Sequence, residues 1–368
     1  MDTVRRYIIV FAGTFAALSA LVLGFTLGVD PYGVTPFKTN IDRVNRIRAE
    51  RKNLDRLVKP FDVLNRKPRT LILGTSRVKE GFDPADFKGT KFAPAYNPGI
   101  DFSSLTESVA LLELLLPLNP QVKYVFLELN FIHFYRPGPV RVPRNRRDLA
   151  NDFMKAVFSM DAIAASARTV LENRNYFGFS FWLRDDGLVE PWSSSMLFDL
   201  ENFFTRVVRK SGKFSISSLQ KKLFERISRV CRNYSVQCAY LILPYQPVDL
   251  AHLYLGGAWK ALESVKRFAP HYLPTYDFTL YNDIVNETLS NNMSNWIDVN
   301  HFTMRVGGEI AQVLAGQRPK NVPSNFGLKL TSANIEDVLE QWRRGRDQWL
   351  RSRPKLVARI ETGIRNNR

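Results

Sequence analysis

Histidine and cysteine are scarce in this chain of 368 residues, with four of the first and two of the second. Two thiols are too few to staple a disulfide scaffold, and they lack zinc-site partners, so neither a knotted mini-protein nor a structural zinc module is expected. Cys231 and Cys238 fit either pairing in an oxidising compartment or two separate buried thiols. No cofactor or metal is expected. Internal repeats and low-complexity blocks are absent, which excludes solenoid and fibrous architectures. Acidic residues are also in deficit: 35 stand against 52 Lys and Arg, a net charge of +17. That balance favours anionic partners, namely nucleic acid, anionic headgroups or acidic polysaccharide. No recognised nucleic-acid motif accompanies it.

What is present is an ordinary globular composition, 45% hydrophobic and 24% charged, in a chain long enough to bury a full core. It is preceded by an uncharged run of 23 residues, Tyr7 to Val29. As a helix this run spans roughly 34 Å, enough to cross a hydrocarbon core of about 30 Å. Ala16, Ala17 and Ala20 fall inside the run rather than closing it, so it reads as an uncleaved anchor and not a removed signal. Arg5 and Arg6 favour a cytoplasmic N-terminus, whereas Lys38, Arg43, Arg46 and Arg48 pull the other way.

The chain divides into the anchor segment 1–29, a stalk at 30–67 that opens on the turn-like Asp30-Pro31-Tyr32-Gly33 and is expected to be helical over its mixed-charge part from 38, an α/β domain at 68–318 and a tail at 319–368. Thr70 to Gly74 and Val122 to Leu129 read as buried strands, and Tyr96 to Ile100 as a strand end running into a loop. Ser104 with Glu107 signals a capped helix to about Leu116. Residues from 131 to about 212 interrupt the alternation and are expected to form an insertion over one sheet face. They include a Pro- and Arg-rich loop (Arg136 to Arg147), helical periodicity near 149–173 and an aromatic stretch from Tyr176 to Trp192. The α/β pattern resumes with a helix to Asn233, a strand at Cys238 to Leu243, a helix at Ala258 to Phe268 and a closing helix from Thr303 to Gly316. Residues 319–333 read as a linker. Asn334 to Leu350 form an amphipathic helix halted by Pro354. From Gln341 onward eight Arg and one Lys face one Asp and one Glu, a net of +7. This helix is expected to pack by its apolar side on the domain; docking to anionic headgroups is the second reading.

Two motifs about 220 residues apart carry the chemistry. Leu71-Ile72-Leu73-Gly74-Thr75-Ser76-Arg77 is an apolar run ending in a small-residue turn with a serine, and Asp298-Val299-Asn300-His301-Phe302 holds an aspartate three residues before a histidine. Open α/β sheets present their sites at the carboxyl ends of strands, where Ser76 falls. A carboxylate at Asp298 would fix the tautomer of His301, which would in turn accept the serine proton. Gly99, in Asn97-Pro98-Gly99 after the second strand, and Asn130, at the end of the third, stand where oxyanion donors are needed beside the Ser76 N–H. Arg77 either steadies an anionic substrate or pairs with a core carboxylate, and the second is expected.

This set resembles the SGNH (GDSL-like) hydrolase superfamily, whose four blocks would match Ser76, Gly99, Asn130 and Asp298 with His301. The likeness covers roughly residues 68–315. The first block reads Gly-Thr-Ser-Arg rather than Gly-Asp-Ser, and the third Glu-Leu-Asn rather than Gly-x-Asn-Asp. The anchor followed by Asp30-Pro31-Tyr32-Gly33 and the Asn-His-Phe ending look like a membrane-anchored bacterial branch. That branch is similar to proteins that O-acetylate exported polysaccharides such as alginate. The resemblance implies a flavodoxin-like three-layer parallel sheet and ester chemistry at the cell envelope. It also implies a single-pass inner-membrane protein with its large domain facing the periplasm or cell exterior. The expected partners are the membrane, an acylated polysaccharide or small ester, and a membrane acyl-donor protein; no nucleic acid is expected. The rival expectation is a non-catalytic envelope module that keeps the fold and binds glycan or a partner protein.

Overall fold

The computed structural model describes residues 2–37, 40–48, 50–51, 54–134, 138–174, 216–290 and 292–366. Its first half runs α1 (Asp2–Val29), α2 (Asp55–Arg66), β1 (Thr70–Leu73), α3 (Ser76–Gly81), β2 (Ala95–Tyr96), α4 (Leu105–Leu115), β3 (Tyr124–Glu128), α5 (Arg146–Val157) and α6 (Met160–Arg174). The second half runs α7 (Ser218–Asn233), β4 (Gln237–Ile242), α8 (Pro247–Leu255), α9 (Trp259–Phe268), β5 (Thr275–Asp277), α10 (Met304–Leu314), β6 (Leu328–Leu330), α11 (Ile335–Ser352) and α12 (Pro354–Asn366). Two compact units result: Met1–Arg66 with Val142–Leu183, and Lys67–Arg141 with Arg184–Arg368.

The first unit is built around the apolar helix α1. Its stretch Thr3–Val29, with a mean hydropathy of 2.3, is long and apolar enough to cross a membrane. Side chains along most of it, including Tyr7, Phe11, Phe15 and Leu21, are exposed, as a lipid-facing surface requires. Its last turn is instead covered by protein: Thr26 is buried and its hydroxyl donates to the Val157 carbonyl at 2.6 Å. Among the described residues of the stalk the α-helix is α2, preceded by a 3-10 turn at 50–51; residues 40–48 are largely turns rather than the expected helix. The helices described within the insertion, α5 and α6, belong to this unit. The physical reason is polar and aromatic pairing with the stalk. Asn173 exchanges two hydrogen bonds with the Ile47 backbone, both 2.8 Å; Arg168 pairs with Glu50, and Phe61 meets Phe153 at 6.0 Å. The aromatic stretch Tyr176 to Trp192 lies outside the described residues.

The second unit holds a six-stranded sheet in the order β2-β1-β3-β4-β5-β6. The first five strands are parallel, as the strand–helix alternation predicts, and β6 joins β5 antiparallel. β1 is buried along its whole length, which accounts for its unbroken apolar run. The predicted capping box at the start of α4 forms from both sides, with Glu107 N–H on Ser104 Oγ and Ser104 N–H on the Glu107 carboxylate. The chain leaves β1 toward β2 on one side and returns to β3 on the other, so the topological switch point, where sheets of this kind hold their sites, falls at the carboxyl ends of β1 and β3. Cys231 and Cys238, both buried, form a disulfide joining α7 to β4.

The tail differs from its expectation in two places. The segment read as a linker contains β6, because Leu330 is buried against the sheet edge. A further helix, α12, follows the Pro354 break. The tail docks firmly by its apolar side, as expected for α11. Trp342 is fully buried, stacks on Trp259 at 3.9 Å and lies under the Lys266 ammonium. Arg343 grips Glu263 through two bonds of 2.7 Å. Trp349, Ile360 and Ile364 then close on Val248, Ala251 and Val299, so the tail buttresses the loop that carries the histidine motif.

Candidate active site

Ser76 is the first residue of α3, directly past the carboxyl end of β1. Thr75 caps the helix and is itself held from below: its N–H and hydroxyl both donate to Glu128 Oε2, at 2.7 and 2.8 Å. Glycine is required at 74 because a side chain there would overlap the Glu128 carboxylate. The turn is therefore clamped to the last residue of β3, and the serine hydroxyl points out of the sheet. Among the described residues the Ser76 N–H has no acceptor.

The second motif is a tight loop pinned at both ends. Trp296 and Phe302 bridge antiparallel and are buried, with Phe302 edge-on to Phe82 at 5.8 Å. Within the loop Asp298 Oδ1 accepts the N–H groups of Asn300 and His301, at 2.6 and 2.8 Å. The same carboxylate meets His301 Nδ1 at 3.0 and 2.9 Å. The three-residue spacing thus gives one carboxylate two tasks: closing the turn and orienting the imidazole.

The two motifs meet. Ser76 Oγ lies 2.9 Å from His301 Nε2. With Nδ1–H directed at Asp298, Nε2 is left as the acceptor for the serine proton. Burial pulls the His301 pKa down, but the bond to Asp298 and the charges of Asp298 and Glu80 outweigh it and hold the pKa above the ordinary 6.5. Burial likewise raises Asp298, and the histidine bond and its charge overcome this, leaving the carboxylate below its usual range. The geometry can therefore deprotonate a hydroxyl and stabilise the resulting imidazolium.

Arg77 lies behind the triad. As expected it pairs with a core carboxylate, Glu128, at 3.5 Å, and both groups are almost fully buried. It does more than that. Its Nε donates to the Asn300 carbonyl at 2.8 Å, its Nη2 to the Pro244 carbonyl, and its guanidinium lies 4.1 Å from the Tyr245 ring centre. Tyr245 in turn donates to Asn130 Oδ1 at 2.8 Å. The ends of β1, β3 and β4 and the histidine loop are thus tied to one cation.

The other residues singled out in the sequence have internal partners. The Gly99 N–H donates to Asn97 Oδ1 at 3.0 Å, and Asn130 Nδ2 donates to Glu128 Oε1 at 3.1 Å. Glycine is needed at 99 because a Cβ would fall 2.5 Å from the Lys79 backbone nitrogen, so the loop after β2 rests directly on α3. One site residue escaped sequence reasoning. Glu80 lies 3.9 Å from His301 Nε2, on the same helix as the serine and four residues on. Only the knowledge that a helix begins at Ser76 places it on the serine's face.

Comparison of the chain with protein-family models, with curated proteins and with solved structures finds no match.

Proposed function

We propose that this protein is a membrane-anchored serine esterase or O-acyltransferase acting on acyl esters, acetyl above all, of cell-envelope or exported polysaccharide. The observation that carries the reading is the 2.9 Å contact between Ser76 Oγ and His301 Nε2, with the Asp298 carboxylate 2.9 Å from the other ring nitrogen. Ser76 Oγ attacks the acyl carbon while its proton passes to His301 Nε2. The Ser76 N–H supports the oxyanion; the Gly99 N–H and the Asn130 amide join it by turning from their present acceptors, Asn97 Oδ1 and Glu128 Oε1. Collapse expels the first alcohol, which takes the proton back from His301. Water or a sugar hydroxyl then attacks the acyl-serine, again through His301, and frees the enzyme.

The parallel order β2-β1-β3-β4-β5 supports a flavodoxin-like, SGNH-type sheet, since it places the ends of β1 and β3 at the topological switch point. The apolar helix α1 supports a single-pass bacterial inner-membrane anchor. The Cys231–Cys238 disulfide supports a periplasmic position for the sheet unit, because such bonds persist in oxidising compartments. A membrane acyl-donor protein would be the natural partner of a transferase.

A non-catalytic glycan- or partner-binding module is the second reading. It is favoured by the internal partners of Gly99 N–H and Asn130 Nδ2. A serine-reactive fluorophosphonate separates the two. Labelling of the wild type that disappears in Ser76→Ala is the expected result; a wild type that resists labelling supports the binding module.

A further inference from the structure

The chain carries +17, yet the mouth of the site does not share that sign. Among the described residues, six charged side chains are linked to His301 directly or through one neighbour. From α3 come Arg77, Lys79 and Glu80. From the loop after β2 comes Asp101, from the end of β3 Glu128, and from the histidine loop Asp298. Arg77 is buried against Glu128, Lys79 is paired with Asp101 at 2.9 Å, and Asp298 is paired with His301. Glu80 is different. Its side chain is 33% exposed, and its one ion-pair contact is the 3.9 Å approach to His301 Nε2. Among the described residues it makes no direct hydrogen bond.

The position matters because of what Nε2 does in the reaction. That nitrogen returns the proton to the departing alcohol and takes one from the incoming alcohol or water. Both species must therefore pass beside the Glu80 carboxylate. We propose that Glu80 is a specificity-determining residue of this site: it favours acyl esters whose alcohol part is neutral or cationic near the reacting carbonyl and opposes those carrying an anion there. The substrate class is then a neutral or amino-bearing hydroxyl compound, and not the acidic polymer that the overall charge suggests. This inference rests on the esterase or acyltransferase reading. Exclusion by a like charge is an efficient route to selectivity, since the wrong partner also loses hydration without compensation.

Three thioesters with one acetyl group test it on the full-length protein in detergent: acetylthiocholine (cation), S-acetyl-2-mercaptoethanol (neutral) and S-acetylthioglycolate (anion). Thiol release gives kcat/KM for each. The expected wild-type order is cation, then neutral, then anion, and Glu80→Gln should reduce the cation-to-anion ratio about tenfold, the scale for unit charges about 5 Å apart at a partly exposed site. An unchanged ratio in Glu80→Gln overturns the inference, as does a wild type that prefers the anion. A Ser76 that reacts with a fluorophosphonate but turns over none of the three thioesters overturns it as well. If Ser76 is acylated by neither reagent class, the parent reading falls and the inference falls with it. A purely structural Glu80 would lower all three rates together and leave their ratio unmoved.

Discussion

The Arg77 guanidinium donates to the Asn300 carbonyl at 2.8 Å, so the residue after the serine holds the residue before the histidine. This bond, with the buried pair to Glu128, is the physical link between two motifs that lie far apart in the chain. Removing one partner of a buried pair leaves the other charge uncompensated. Arg77→Ala is therefore expected to cost about 3–5 kcal/mol of unfolding free energy in urea titrations. Fluorophosphonate labelling of Ser76 should slow at least about tenfold, because the histidine loop loses its tether. The double change Arg77→Met with Glu128→Gln removes both charges and keeps an acceptor for the Thr75 N–H and hydroxyl, so it should regain part of the stability without regaining the labelling rate.

Asp298→Asn separates orientation from folding. The amide oxygen can still accept the Asn300 and His301 N–H groups and close the turn. It cannot hold His301 in the tautomer that leaves Nε2 free. Ester turnover should fall about 10³- to 10⁴-fold with little change in thermal midpoint. A loss of less than tenfold would show that Asp298 has no part in orienting the base.

The pH profile follows from the direction of the His301 shift. Its pKa is raised above 6.5, and only the neutral imidazole accepts the serine proton. Activity should therefore rise through an acid limb centred above 6.5. Glu80→Gln removes one of the charges that raise the pKa, so the limb should move to lower pH. For stability the sign is opposite. The favourable His301–Asp298 interaction is fully present below the unfolded histidine pKa and is lost as pH rises through the higher folded value. Kinetics across pH 5 to 9, with thermal midpoints over the same range, check both limbs.

Trp342 fastens the tail to the sheet unit. It is fully buried between Trp259 and the Lys266 ammonium. Trp342→Ala should cost about 3–5 kcal/mol in denaturant titration, from lost burial and the cavity left behind. Because Trp349, Ile360 and Ile364 of the same tail pack on Val299, labelling of Ser76 should slow as well. Unaltered labelling at reduced stability would separate the tail from the site.

Much of the architecture was legible because local physics decides it. The apolar run of α1, the buried strands β1 and β3, the capping box at Ser104 and the close-packed turn at Gly74 each follow from neighbours in sequence. In the stalk, mixed charge suits turns as well as helix, and among the described residues the α-helix is Asp55–Arg66. β6 was missed because a three-residue edge strand carries too little pattern, and α12 because Pro354 ends one helix and begins another. The helices of the insertion are held by specific partners, Ile47 and Glu50, that no periodicity identifies. At the site, Ser76, His301 and Asp298 stood out by residue type and spacing, whereas Glu80 did not.

The sequence alone determined which segments are apolar, where strands end in small residues, and that an aspartate three residues before a histidine can close a turn on it. These are short-range properties, set by backbone sterics and hydrogen bonding within a few residues. Only the tertiary structure decided that Ser76 and His301 stand 2.9 Å apart and that one buried arginine ties four chain segments together. It also decided that a carboxylate, and not the surplus positive charge, faces the reacting nitrogen. Those relations depend on sheet order and on burial far along the chain, where Coulomb and hydrogen-bond energies are set by position rather than by composition.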